Sequence, residues 1–196
     1  MLKRLFDIVF SLTLIILLLP FFVVIAIMVK LDSKGPVFYL QTRVGKKNHD
    51  FKLFKFRTMY VDSDKKGLLT VGHRDSRITR VGYNLRKYKI DELPQLFNVL
   101  IGDMSVVGPR PEVRKYVDMY DERQQKVITV RPGITDLASI QFVNENELLK
   151  NAEDPEKLYI DEIMPTKLEL NLKYIENRHF FKDLKIILLT VKAIFT

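Results

Sequence analysis

Apolar and polar positions divide the chain into segments of distinct rhythm. From Ile8 to Val29 the residues are almost uninterruptedly apolar, broken by Ser11, Thr13 and Pro20. At about 1.5 Å per residue this run is long enough, as a helix, to cross a hydrocarbon core. Pro20 removes a backbone donor and clashes with the preceding turn, so a sharp bend is expected there. No small-residue cleavage site follows the run, which predicts an anchor that stays attached rather than a leader that is removed. Lys3 and Arg4 flank one end and Lys30 and Lys34 the other, so positive charge favours neither end as the outer one. A kinked spanning helix and a helix that turns back to its own face both satisfy this pattern.

Beyond the anchor, Gly35 to Tyr39 predicts a turn entering a short strand, and Phe51 to Phe56 alternates at period two, with Thr42 to Asn48 as the hairpin connection. Tyr60 to Arg80 is a polar loop whose aspartates lack the glycine and terminal glutamate of a calcium loop. Arg77 to Tyr88 predicts a short basic helix with Val81, Leu85 and Tyr88 on one side. Leu93, Leu96, Phe97, Leu100 and Ile101 recur at helical spacing behind Asp91-Glu92. Glu112 to Val130 predicts a charged helix with Val113, Tyr116, Val117, Tyr120 and Val127 inward. Arg131 to Thr135 is a punctuated turn, followed by a short apolar run from Leu137 to Val143. Asn144 to Pro165, acidic and polar, reads as a surface insertion that could be helical, solvated rather than metal-binding. In Lys167 to Thr196, Lys182, Lys185 and Lys192 interrupt an apolar series too short to span. A helix lying in the membrane interface and a terminal helix packed on the core both fit it.

The 196 residues suffice for one domain with a proper core. Lys plus Arg number 32 against 24 Asp plus Glu, a net charge of +8 that favours a phosphate-rich partner or an anionic membrane surface. Absence of cysteine removes disulfides and thiolate metal sites, and His49, His73 and His179 have no zinc spacing.

Candidate chemistry concentrates between Arg86 and Pro111. Asp91 could simply cap a helix, with Glu92 complementing its dipole and Pro94 in its first turn. The surrounding cations add a second possibility. Arg86 lies upstream, and Gly108-Pro109-Arg110-Pro111 forms a rigid turn carrying a guanidinium just beyond the helix, so a nucleophilic carboxylate and phosphate-binding arginines could meet. Arg131, at the head of its own turn, is a secondary phosphate candidate. Lys55 and Arg57 require the chain to bend before both could reach one ligand.

These residues fall into motifs that, in this order, resemble the small bacterial monotopic phosphoglycosyl transferases, also called bacterial sugar transferases. The resemblance covers nearly the whole chain. Its motifs are Lys3-Arg4-Leu5-Phe6-Asp7, Gly35-Pro36-Val37-Phe38, Arg43-Val44-Gly45, Lys55-Phe56-Arg57-Thr58-Met59, Asp91-Glu92-Leu93-Pro94-Gln95-Leu96 with Asn98-Val99-Leu100, Gly102-Asp103-Met104-Ser105, Val107-Gly108-Pro109-Arg110-Pro111, Arg131-Pro132-Gly133-Ile134-Thr135 and Asp183-Leu184-Lys185.

The resemblance implies a mostly helical α/β fold with a small β-hairpin. Residues 1–34 would form a re-entrant membrane helix and its flanks, broken at Pro20, and 35–196 a cytoplasmic, membrane-associated catalytic domain with interfacial helices. The setting implied is the bacterial cytoplasmic (inner) membrane, with the site on its cytoplasmic face. Asp91 would attack the β-phosphate of a UDP-sugar, giving an aspartyl-phosphosugar and UMP, and undecaprenyl phosphate would then take the phosphosugar, initiating a surface glycan. Mg²⁺ would be held by Asp91 and Glu92 with the diphosphate. Arg86, Arg110, Lys55, Arg57 and Arg131 would hold phosphate oxygens, with Pro109 and Pro111 shaping the nucleotide side. A nucleic-acid partner is not expected, and a homodimer is left open. The chain departs from the family's pattern at Leu19, Asp136, Val143 and Asn171, which bears on the nucleotide-sugar contacts. Two rivals remain: a non-catalytic, membrane-anchored polybasic module that binds lipid or a partner, and a nucleic-acid binder, for which no reading motif is present.

Overall fold

The computed structural model describes residues 2–63 and 75–195. The apolar run becomes one helix, α1 (Leu2–Asp32), with Pro20 inside it rather than dividing it in two. A hairpin follows, β1 (Phe38–Val44) and β2 (Asp50–Phe56), paired antiparallel with Tyr39 opposite Lys55. Then come α2 (Arg80–Lys87) and α3 (Gln95–Ile101), with a short 3₁₀ turn, Ile90–Glu92, between them. The order continues with β3 (Ser105–Val107), α4 (Arg114–Val117), β4 (Gly133–Thr135) and α5 (Leu137–Gln141). Last are α6 (Glu145–Lys150), α7 (Pro155–Leu158), α8 (Met164–Glu176) and α9 (Phe180–Phe195). The mostly helical fold with a small hairpin stands as expected.

α1 buries a narrow stripe, Asp7, Ser11, Ile15, Phe22, Ile25 and Val29, spaced three, four or seven residues apart along one helix face. Phe22 meets the ring of Phe56 edge-on at 5.5 Å and that of Phe97 at 6.1 Å, so the middle of the helix rests on β2 and α3. Its first turn is tied down by Arg4, which donates to the Val99 and Leu100 carbonyls ending α3, and by Asp7, which accepts from Val106 N–H at 3.0 Å. Its last turn is held by Arg57 and by Asp32, which accepts from Val81 N–H at 2.9 Å. The remaining faces are apolar and uncovered: Leu5, Ile16, Leu17, Val23, Ile27 and Leu31 are all more than half exposed. Among the described residues α1 is the one helix long and apolar enough to cross a membrane.

Two segments correct the periodicity. Glu112 to Val130 is no continuous helix: α4 is a single turn, and a 3₁₀ segment, Gln124–Thr129, follows after a turn. Its inner residues Val113, Tyr116, Val117, Tyr120 and Val127 are nevertheless buried. Asn144 to Pro165 is no solvated insertion either. It folds as α6, α7 and a π-helical turn, Tyr159–Ile163, and Leu149, Tyr159, Ile163 and Met164 join the main core. Leu149, Tyr159 and Ile163 are too widely spaced among charges to read as a stripe. Residues 64–74 of the polar loop, including the aspartate at position 64, lie outside the described residues.

A second, parallel pair of strands, β3 and β4, had no signal in the sequence because each has three residues. Gly108 and Gly133 press together where they meet. A Cβ on Gly133 would stand 2.1 Å from Gly108 N, and one on Gly108 2.6 Å from the Arg131 carbonyl, so both positions need glycine. Gly133 N–H donates to the Pro109 carbonyl at 2.9 Å, which fixes the turn that carries Arg110.

Candidate active site

The carboxylate pair sits on the 3₁₀ turn ahead of α3. That helix starts at Gln95 with Pro94 in the cap position, so Asp91 caps nothing and its side chain is left for other work. Asn98 locks α3 to the hairpin: its Oδ1 accepts from Phe54 N–H at 2.9 Å and its Nδ2 donates to the Lys52 carbonyl at 2.7 Å. This clasp sets the register between the carboxylates and Lys55. Sequence pattern alone gives Asn98 no role; its signal is an amide between apolar neighbours on a buried helix face.

Glu92 is saturated by cations. Lys55 Nζ lies 3.1 Å from Oε1, and Arg110 grips both oxygens, with Nη1 at 3.0 Å from Oε2 and Nη2 on Oε1. Burial alone would raise the Glu92 pKa, but Arg110 and Lys55 outweigh it and hold the carboxyl well below its ordinary range. Burial lowers the Lys55 ammonium, opposed by Glu92, and Glu92 in turn raises the Arg110 guanidinium.

Asp91 contrasts with its neighbour. It is 5% exposed and makes no hydrogen bond or ion pair among the described residues. Burial first, then the charge of Glu92, raises its pKa, while Lys55, Arg86 and Lys89 pull it back. Arg86, on the last turn of α2, therefore acts on Asp91 through its charge rather than a bond.

Arg110 itself is fixed from behind by buried Asp136, whose Oδ2 accepts from Arg110 N–H at 3.0 Å and whose Oδ1 caps α5 at Ser139 N–H, 2.6 Å away. Pro109 and Pro111 flank it: the Pro111 carbonyl accepts from Arg43 Nη1 at 3.2 Å.

Two of the expected phosphate ligands are elsewhere. Arg57 is buried with all five N–H groups on partners near the end of α1: the Val29, Ser33, Lys34 and Pro36 carbonyls and Ser33 Oγ. It closes a helix end and has no donor left for a ligand. Arg131 is exposed and donates from Nε to the Gly102 carbonyl at 2.8 Å, with no contact to Asp91, Glu92 or Arg110. Both motifs carry arginines held mainly by main-chain carbonyls, which sequence pattern does not distinguish from ligand-binding ones.

For a divalent cation the donor set is small. No group of three acidic or histidine side chains that could hold a metal exists among the described residues. Glu92 is occupied by cations, so Asp91 offers the free oxygens, and a hard ion that keeps waters and takes phosphate oxygens can bind with one such carboxylate.

The turn thus presents a buried carboxylate with no hydrogen-bond or ion-pair partner among the described residues, beside a second one held by a bidentate arginine and a lysine. The chain belongs to the bacterial sugar transferase family, whose model matches residues 1–196. It is 40% identical over 99% of its length to the UDP-N-acetylgalactosamine-undecaprenyl-phosphate N-acetylgalactosaminephosphotransferase of Aeromonas hydrophila. It is likewise 40% identical over 96% of its length to the UDP-glucose:undecaprenyl-phosphate glucose-1-phosphate transferase of Klebsiella pneumoniae. The chain spans less than half the length of these two relatives, 44% and 39%. It spans 87% of the uncharacterized sugar transferase EpsL of Bacillus subtilis, at 40% identity over 98% of the chain.

Proposed function

We propose that the protein transfers a sugar-1-phosphate from a UDP-sugar to undecaprenyl phosphate, the membrane step that initiates a surface glycan. The observation that carries this reading is the unequal pair: Glu92 takes both nearby cationic side chains, and Asp91 keeps its lone pairs. A carboxylate oxygen of Asp91 attacks the donor's β-phosphorus. The bond from that phosphorus to the bridging oxygen breaks, UMP departs with the electron pair, and the phosphosugar rests on Asp91. An oxygen of undecaprenyl phosphate then displaces Asp91 from the phosphorus. Arg86, Arg110 and Lys55 supply the positive potential that lets an anion approach a diphosphate. Magnesium, held by Asp91 and the donor's phosphates, would add charge neutralisation at the same oxygens.

The placement of α1 supports a monotopic arrangement. A straight helix of this length measures ~46 Å at ~1.5 Å per residue, and one that crossed the bilayer would carry one end away from the domain. Here Arg4 and Asp7 near one end, Phe22 in the middle, and Asp32 and the Arg57-bound carbonyls at the other all touch the same body. Its uncovered apolar faces then lie in lipid, with both ends and the site on the cytoplasmic side of the inner membrane.

The test is UMP release from a panel of UDP-sugars with undecaprenyl phosphate, with and without Mg²⁺, together with capture of labelled phosphosugar on the protein. Loss of both in Asp91→Asn is expected; full turnover in that variant would reject the mechanism.

A further inference from the structure

The motif Lys3-Arg4-Leu5-Phe6-Asp7 forms the first turns of α1, and two of its residues act on β3 rather than on the carboxylates. β4 takes one edge of that strand: Ser105 N–H donates to the Pro132 carbonyl at 2.8 Å and Gly108 N–H to the Thr135 carbonyl at 3.1 Å. In a trans peptide the C=O points opposite to the N–H, so the Val107 carbonyl faces away from β4. α1 serves this other edge with side chains. Lys3 Nζ donates to the Val107 carbonyl at 2.9 Å, and Asp7 Oδ1 accepts from Val106 N–H at 3.0 Å. Lying four residues apart on one helix face, Lys3 and Asp7 offer the strand a donor and an acceptor, as a third strand would.

The Lys3 ammonium is fully committed. Its other acceptors are Tyr174 Oη at 3.4 Å and the carboxylate of Asp183, which also accepts from Tyr174 Oη at 2.6 Å. Asp7, Val106, Val107, Tyr174 and Asp183 are all buried, so α1, the end of β3, α8 and the first turn of α9 meet at one cation. From Val107 to Arg110 the chain has no slack. Gly108 is pressed against the backbone of Gly133, Pro109 has a fixed φ and its carbonyl accepts from Gly133 N–H, and Arg110 N–H is held by Asp136. A displacement of the Val107 carbonyl is therefore passed along to the guanidinium that grips Glu92.

We propose that Lys3 is a positioning residue for phosphoryl transfer: by fixing the end of β3 from the membrane helix, it aims the Arg110 fork, so that the seating of α1 sets the geometry of the site. This role rests on the transferase reading above and extends it to a residue that touches neither carboxylate of the pair. A bidentate fork is useful only when both its N–H groups are held in place, and small misplacements at such a group cost turnover.

The test is a double-mutant cycle on the full chain in nanodiscs with undecaprenyl phosphate, reading kcat/KM for UMP release per folded molecule. Lys3→Met and Lys3→Arg are each made alone and together with Arg110→Lys. Lys3→Met should lower kcat/KM about tenfold while Arg110 is present, and by no more than about twofold once Arg110→Lys has removed the fork that Lys3 aims. Lys3→Arg, which keeps the charge and the donors, should recover activity to within about threefold of the wild-type protein. Losses that multiply across Lys3 and Arg110 overturn the proposal, because a tie that merely holds the fold would act independently of the fork. Undiminished kcat/KM in Lys3→Met overturns it as well. Should Lys3→Met unfold by leaving the buried Asp183 carboxylate without its cation, Lys3→Met combined with Asp183→Asn removes both charges and carries the same cycle. UMP release from no donor in the wild-type protein would instead remove the transferase reading, and this role with it, a result distinct from turnover with multiplying losses.

Discussion

Cationic side chains do opposite work in two regions of this molecule. Where α1 meets the domain, Arg4 and Arg57 are turned onto main-chain carbonyls: the guanidinium of Arg4 sits at the end of α3 and that of Arg57 at the end of α1. At the floor of the site, Arg110 and Lys55 are turned onto one carboxylate, and Arg86 acts by charge on the other. Orphan carbonyls at a buried helix end demand donors as firmly as a phosphate does. A basic sequence therefore overstates how much positive charge is free for a ligand, and a polybasic surface module fits the protein poorly, because several of its arginines face inward.

Substitutions separate the two regions, and the largest effect belongs to the site. Asp91→Asn should lower turnover at least about 1,000-fold, the scale of losing a covalent nucleophile. The same change should raise the melting temperature at neutral pH. The folded-state pKa of Asp91 lies above its unfolded value, so above that pKa its ionised form costs stability that an amide does not. A lower melting temperature would mean that Asp91 has a structural partner after all.

Arg57→Ala strikes the other region. It removes five hydrogen bonds from a buried helix end, so a loss of roughly 3 kcal/mol in stability is expected, measured by thermal unfolding in detergent. Turnover per folded molecule should hold within about twofold; a selective drop in kcat would return Arg57 to the site.

Arg110→Lys tests whether the fork matters or only the charge. A lysine cannot grip both oxygens of Glu92, and a fall of about tenfold in kcat/KM is expected. The smallest effect is a shift in pH profile. Because burial and Glu92 raise the Asp91 pKa, the acid limb of kcat/KM should lie above the ordinary carboxylate range. Glu92→Gln should move that limb to lower pH, since it removes a negative neighbour and leaves Lys55, Arg86 and Lys89 acting on Asp91. An upward move would contradict this assignment of causes.

The anchor, the hairpin and the carboxylate pair were legible because each rests on a local rule: an apolar run, a period of two, two acids ahead of a helical stripe. The segment from Asn144 to Pro165 was not, because its core residues are supplied by short helices and a π-helical turn whose spacing follows no single period. Of the alternatives left open for Lys167 to Thr196, packing on the core is what burial of Tyr174, Asp183 and Ile186 shows, while Phe181 and Leu188 are left more than two-thirds exposed. Charge pattern picked out Lys55, Arg86 and Arg110, which act on the carboxylate pair, but could not exclude Arg57 and Arg131, whose partners are mostly backbone carbonyls contributed by distant residues. Asp136 drew attention only as a departure from pattern, and its use as a backbone clamp on Arg110 appears only in three dimensions.

The clasp made by Asn98 has a mechanical consequence. α3 is riveted on one side to the hairpin by that amide and on the other to the membrane helix by Arg4. Tilting or bobbing of the anchor in a soft bilayer therefore carries the hairpin and the acidic pair along as a rigid block, and the spacing between Lys55 and Glu92 is sheltered from the motion of the lipid around it.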